Sequence, residues 1–341
     1  MTTAIEHVLD LDAIEPIAPP ASLELHEAVL HLVQNKYWLD RLAESSSMPL
    51  PMAFDSGGYG LHEPATFYEK LFPFVPWWDR ISDTVAALVP TDQTIGCSWR
   101  WRTKHVKSGE RADLVAHLTD RTNALRDCGQ RAQYMWIQPL GLVLPHEGKN
   151  RVDFLRDCLV EFIPARVTAY DYPAANRMRT HRVEVHGREE VWAVLDERWV
   201  QRLEHPEWVQ PVLTAYGVKQ HLWPTRYPSP EDVAEAFSEP HGQPGFLDKA
   251  VVDMEKLEAD QADREALVPC AIDDIAALQL APRFWLSLAV TVLAVGGTWL
   301  AVPQDWNDAR EIAATAFGVA FGIFLAHTWP IHRAPRSMLK Q

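Results

Sequence analysis

The segment LVLPHEGKNRVDFLR, Leu142 to Arg156, gathers the residue types that hold an anion. An apolar run ending at Leu144 reads as a strand, Pro145 breaks it, and Gly148, Lys149, Asn150 and Arg151 stand where an amphipathic helix begins. A helix start presents unpaired backbone N–H groups and the positive end of the helix dipole, so two cationic side chains there complete a phosphate cradle. Gly148 lets a ligand approach the backbone, and Arg151 can grip phosphate oxygens with two parallel N–H groups. Glu147, at the strand end, has the chemistry either to hold Mg2+ or to accept a proton. The same residues also describe an ordinary turn with a surface lysine and arginine, and spacing alone does not separate the two.

Other clusters carry less. His181, Glu184 and His186 fall within six residues, and Glu184 and His186 would share a strand face. No further ligand of suitable spacing follows them, whereas zinc takes three or four protein ligands. His205, His221 and His241 are scattered in polar surroundings and read as surface histidines. Cys97, Cys128, Cys158 and Cys270 form no CxxC pair and read as buried thiols. In SWRWRTKHVK, Arg100, Arg102 and Lys104 would line one face of a strand, a pattern that suits a phosphate or a charge-protected sheet edge.

The elements that must position the turn follow from hydrophobic period. Leu25, Val29, Leu32, Val33 and Leu39 recur at helical spacing and predict a helix over Leu23–Leu42. The aromatic stretch Pro49–Trp78 reads as packed loop, and Asp79–Val89 as a helix. Further predicted helices are Ala112–Cys128, Gly148–Leu159 (with Val152, Leu155 and Leu159 inward) and Glu189–Leu203; predicted strands are Gln133–Ile137, Leu140–Leu144, Phe162–Tyr170 and Arg182–His186. Short strands mixed with helices mean an α+β fold, a small mixed sheet with helices. Beyond Val218, WPTRYPSPEDVAEAFSEPHGQPGF reads as a peripheral excursion, followed by an acidic helix over Leu247–Glu265 that suits a solvated stalk.

Two uncharged apolar runs, Phe284–Val302 and Ile312–Ile331, are each close to the roughly 20 residues that cross a 30 Å hydrocarbon core as a helix. Trp285, Trp299, Trp306 and Trp329 sit near their ends. Arg283 before them and His332, Arg333, Arg336 and Lys340 after them put both chain ends on the cytoplasmic side of a multi-pass hairpin in the inner membrane. Ala314, Gly318, Gly322 and Ala326 make a small-residue stripe suited to helix contact, either within the hairpin or between copies of the chain. The resulting division is 1–94, a helical and irregular region; 95–218, the core with the turn; 219–282, excursion and stalk; and 283–341, a transmembrane hairpin with a basic tail. Within 341 residues, 47% hydrophobic and 23% charged, there is material for real cores outside such an anchor. The acidic N-terminus does not read as a signal peptide. A net charge of −14 argues against a broad nucleic-acid surface and leaves room for a local DNA-binding patch.

The string HEGKNRVDFLRDCLVEFIPARV resembles the nucleotide-binding core of the ParB/sulfiredoxin superfamily, in which a strand enters an acidic-or-apolar, Gly, x, x, Arg turn, a short helix, and a strand opening with Ile-Pro and a small residue. Glu147, Gly148, Arg151, the helix Val152–Leu159, and Ile163, Pro164, Ala165 and Val167 occupy those positions, and the resemblance spans about 95–215. Sulfiredoxin-like enzymes carry a cysteine directly after the glycine, where this chain has Lys149. CTP-binding partition proteins carry a Gly-Glu-Arg-Arg-x-Arg-Ala box, of which Gly148 and Arg151 match while Asp153 replaces the last arginine. Free-serine-kinase-like members use an acidic-Gly-His-x-Arg turn, matched by Glu147, Gly148 and Arg151, with Lys149 in place of the histidine. The resemblance therefore implies a nucleoside di- or triphosphate, of the ATP or CTP class, held by Gly148, Lys149, Asn150 and Arg151, with Mg2+ as an optional companion and Glu147 as the catalytic candidate should hydrolysis or phosphotransfer occur. Binding ranks above catalysis because no complete acid/base pair can be assigned. The alternative is a scaffold with a degenerate ParB-like fold that recruits DNA or a protein partner to the bilayer.

Overall fold

The structure, a computed structural model, describes residues 14–45, 63–75, 81–96, 103–125, 132–238, 250–270, 274–275, 282–301, 303, 306–328 and 332–339. It divides into two units, Met1–Met254 and Glu255–Gln341.

In the first unit, α1 (Leu23–Ser45) buries Leu25, Val29, Leu32 and Val33 at the spacing the sequence predicts. Inside the stretch expected to be loop, α2 (Pro64–Leu71) forms with a proline in its first turn, where the missing N–H costs nothing. It buries Phe67, Tyr68 and Leu71. The segment expected as a helix over Asp79–Val89 contains a strand instead, β1 (Val85–Pro90). Its short apolar run finds an antiparallel partner far along the chain, with Val85 opposite Val167 and Val89 opposite Ile163.

The single helix expected over Ala112–Cys128 is two, α3 (Arg111–Thr119) and α4 (Arg121–Leu125). Asp120 turns extended between them and its carboxylate accepts from the Asn123 N–H at 2.8 Å, so a helix start displaces helix continuation. Then come β2 (Gln133–Ile137), β3 (Leu142–Glu147), α5 (Lys149–Asp157) and β4 (Phe162–Tyr170). These strands form a mixed sheet in the order β1-β4-β2-β3, in which only the β2–β4 pair is parallel. The sheet is buried on both faces. Along β3, Leu142 and Leu144 enter one core, with Leu25, Val29, Phe67 and Phe72, while Val143 enters the other, with Val152, Phe154, Leu155, Ile163 and Val167.

A second sheet holds β5 (Met178–Val185), β6 (Arg188–Leu195), β7 (Trp199–Arg202), β8 (Lys219–Leu222) and β9 (Val251–Asp253), in the order β8-β5-β6-β7-β9. The helix expected over Glu189–Leu203 is therefore absent. Two tight hairpin turns decide this: His186 and Gly187 have φ of 50° and 75°, and Asp196 and Glu197 have 53° and 56°. Between β7 and β8, α6 (Pro206–Tyr216) ends at Gly217, and α7 (Pro230–Ala236) follows β8, N-capped by Ser229. The first residues of the expected acidic helix at Leu247 lie outside the described set, Val251–Asp253 is strand, and α8 (Met254–Glu265) is the helix that remains.

The second unit contains β10 (Leu267–Cys270), α9 (Pro282–Ala301), α10 (Asn307–Thr328) and β11 (His332–Pro335). β10 and β11 pair antiparallel, and Arg336 binds Asp263 at 2.5 Å. The two expected helices form, but the transmembrane hairpin does not stand. Among the described residues no helix is long and apolar enough to cross a membrane. α9 takes in Pro282 and Arg283 and stops at Ala301, while α10 opens on Asn307, Asp308, Arg310 and Glu311 and stops at Thr328. The apolar part of each helix is thus shorter than the sequence run. With the spans go the multi-pass inner-membrane location and the cytoplasmic placement of the termini drawn from it. Large apolar side chains such as Leu286, Leu293, Ile312 and Val319 are exposed on both helices. Among the described residues a Cβ on Gly318 or Gly322 would meet nothing within 4 Å, whereas one on Gly296 would lie 3.4 Å from Phe317.

Candidate anion site at the β3–α5 turn

The turn forms because β3 runs past Pro145 to Glu147, three residues beyond the predicted strand end, and then must reverse into α5. Pro145 fits the end of the sheet, where β3 is the last strand and its outer side is met, among the described residues, only at Val143, by the Thr94 bridge and the Ile95 N–H. Gly148 makes the reversal with φ 82° and ψ 10°, a left-handed conformation that side chains resist. The Arg151 N–H then bonds the Gly148 carbonyl at 3.1 Å.

α5 is held from both ends. Asp153 stands over Gly96, where a Cβ would fall 2.0 Å from its carboxylate, and it pairs with Arg156 at 2.7 Å. Arg156 also donates to the Thr91 and Thr94 carbonyls at 2.9 and 2.6 Å, fixing the helix to the loop after β1. At the C-terminal end Asp157 accepts from the Tyr37 hydroxyl, from Arg41 at 2.5 Å and from Thr103 at 2.8 Å, which ties α5 to α1. Leu159, expected to face inward, lies past the helix at φ 59° and is 92% exposed.

The five predicted site residues are consecutive and converge on this turn. Glu147 is exposed at the strand end. Lys149 makes an ion pair with Glu63, the residue before α2, so an incoming anion competes with a carboxylate already there. Asn150 is half-buried in the first turn of the helix. Arg151 is buried, and its guanidinium covers Gly148: a Cβ on that glycine would lie 3.0 Å from Nε and 3.3 Å from Cζ. The opening that the glycine creates is filled by the protein's own cation. An anion at this turn meets the guanidinium rather than the glycine backbone.

Sequence reasoning missed two members of the site. Glu63 lies distant in sequence and carries no motif. Tyr134, on β2, is fully buried, and its hydroxyl has no hydrogen-bond partner among the described residues. Burial pushes the phenol well above its ordinary range and the nearby Arg151 charge pulls it back, which places the hydroxyl within electrostatic reach of the guanidinium. No sequence signal marks a buried tyrosine as polar machinery.

As for metal, no group of three or more His, Cys, Asp or Glu among the described residues is placed to hold an ion. Mg2+ commonly takes one or two carboxylates and fills its shell with water and substrate phosphates, so Glu147 fits only as a single ligand to a phosphate-borne ion. His181 is buried, while Glu184 and His186 are exposed. The basic strand around Arg100 and Arg102 lies outside the described residues, and Thr103–His105 form a 3₁₀ turn. Cys97 and Cys128 also lie outside them; Cys158 is half-buried and Cys270 buried, both as free thiols.

No family model matches this chain, and neither a curated protein nor a solved structure does. The likeness to the ParB/sulfiredoxin superfamily rests on the motif residues alone.

Proposed function

We propose that the β3–α5 turn binds the phosphate of a nucleoside di- or triphosphate, in the manner the ParB/sulfiredoxin-like motif implies, with Arg151 as its principal contact. The observation that carries the reading is the stacking of charge on the turn: the Arg151 guanidinium lies over Gly148 at the start of α5, within electrostatic reach of the Tyr134 hydroxyl, which has no hydrogen-bond partner among the described residues. A guanidinium, a helix N-terminus and a hydroxyl donor all favour the same ligand charge. Lys149 adds a second cation once Glu63 releases it, and Glu147 would hold Mg2+ borne by the phosphates. Those phosphates and their metal would supply any hydrolytic or phosphotransfer chemistry. The chain's own residues bind and orient.

Titration calorimetry with ATP, CTP and their diphosphates, with and without magnesium, tests this. Arg151→Ala removes a charge-assisted contact worth roughly 1.5–3 kcal/mol, so affinity should fall about ten- to a hundredfold. Equal affinity of variant and parent for every nucleotide, or no binding by the parent, leaves the motif a structural turn. One observation favours that second reading: Gly148 and Lys149 are already engaged by Arg151 and Glu63. The protein would then be a scaffold with a degenerate ParB-like fold that recruits DNA or a protein partner.

A further inference from the structure

The stretch read from sequence as a peripheral excursion folds back over the second sheet. Trp223 meets the buried Trp192 ring edge-on at 5.2 Å between centroids, and Phe237 meets it at 5.4 Å. Beside β5 and β8, along the turn from Trp223 to Tyr227, lies an open cavity of about 660 Å³. That is within the range of small-molecule sites.

His181 lines this cavity and is only 2% exposed, with the Trp223 and Tyr227 rings at 5.4 and 6.1 Å from its own. Its Nδ1 lies 3.0 Å from the Leu222 carbonyl. A carbonyl only accepts, so Nδ1 carries the proton and Nε2 presents a lone pair. Nε2 is buried and has no hydrogen-bond partner among the described residues. Burial also lowers the pKa of the imidazole, which keeps the ring neutral. Arg179 stands two residues earlier on the same strand, hence on the same face, and lines the same cavity. It donates Nη1 to the Asn176 and Met178 carbonyls at 2.8 and 2.7 Å, and it has no carboxylate partner among the described residues. Its neighbour Arg226, by contrast, is paired with Glu197 at 2.9 Å.

The cavity has aromatic walls, an acceptor in need of a donor, the Arg226–Glu197 ion pair, and in Arg179 a second cation with no carboxylate partner among the described residues, and these define its ligand. We infer that it binds a planar aromatic anion with a hydrogen-bond donor opposite its charge: the donor meets Nε2 of His181, the anionic group meets Arg179, and the ring lies against Trp223 and Tyr227. Alternate strand residues are roughly 6.6 Å apart, a separation one six-membered ring with para substituents can span. The site shares no residue with the β3–α5 turn, so neither proposal depends on the other.

4-Hydroxybenzoate is the probe, titrated calorimetrically into the full chain beside benzoate, which lacks the donor, and 4-hydroxybenzamide, which lacks the charge. 4-Hydroxybenzoate should bind, the other two at least tenfold more weakly. Arg179→Gln should weaken it at least tenfold with the circular dichroism unchanged, and Arg151→Ala should leave it as it is. Absence of binding, equal binding of all three probes, indifference to Arg179→Gln, or loss on Arg151→Ala would each overturn the inference. His181→Phe keeps a planar ring in the buried position and removes the acceptor, so it too should weaken 4-hydroxybenzoate at least tenfold; undiminished affinity there overturns the inference.

Discussion

Arg151 lies over Gly148, its Nε 3.0 Å from the point a Cβ would occupy, so the glycine serves the arginine as well as the turn. The pair joins backbone conformation to charge placement. Gly148→Ala should cost stability twice, once for a left-handed φ of 82° and once for crowding the guanidinium. The conformational part alone is about 1–2 kcal/mol. Urea denaturation of Gly148→Ala, Arg151→Ala and the double variant separates the two, since only the crowding part should vanish in the Arg151→Ala background. Additive effects would show that the side chains do not meet.

Lys36 and Asp40 form an ion pair one helical turn apart at 2.5 Å, both side chains 1% exposed, with Lys36 over the Phe67 ring at 5.3 Å. Breaking such a pair strands a buried charge. Lys36→Met alone should destabilise by about 3–5 kcal/mol, while Lys36→Met with Asp40→Leu should recover much of the loss because no charge is then buried. Unfolding midpoints of the two variants decide; equal losses would mean the pair is solvated.

Asp157 ties α5 to α1 through Tyr37, Arg41 and Thr103. Asp157→Asn keeps the shape and removes the charge, and a loss of about 1–3 kcal/mol is expected. Nucleotide affinity, if present, should fall much less than with Arg151→Ala, because the contact lies at the far end of the helix. A larger fall would place the affinity in the α1–α5 clamp.

The same contact sets a tyrosine titration. Burial first, and then the hydrogen bond and charge of Asp157, raise Tyr37 from about 10 to about 12. Because the folded value is the higher one, the stabilisation is complete below pH 10 and is lost as pH climbs from 10 through 12. Phenolate absorbance should show Tyr37 ionising near 12 in the parent and earlier in Asp157→Asn, by less than the full shift because burial persists. An unchanged profile would remove Asp157 from the account.

Much of the β3–α5 turn was legible in the sequence because it is local. A strand, a glycine and a helix start in consecutive residues leave the chain few ways to fold, and β2, α5, β4 and α1 sit within a few residues of their predicted places. The elements that went astray are those whose character depends on distant partners. Val85–Pro90 is a strand because β4 lies ready to pair with it, and Glu189–Leu203 splits into two strands because its hairpins build a five-stranded sheet. A short apolar run carries no period of its own that distinguishes these outcomes.

By itself the sequence determined the α+β character of the chain, the convergence of Glu147 to Arg151 on one turn, and two helices near its end, each because the governing interactions lie within a few residues. Tertiary structure alone decided where those last helices begin and end, and among the described residues neither is long and apolar enough to span a membrane. It decided that Arg151 fills the space over Gly148, that Glu63 engages Lys149, and that Trp223 and Tyr227 pack their rings against His181. Each joins side chains by packing and charge across parts of the chain that sequence spacing does not relate.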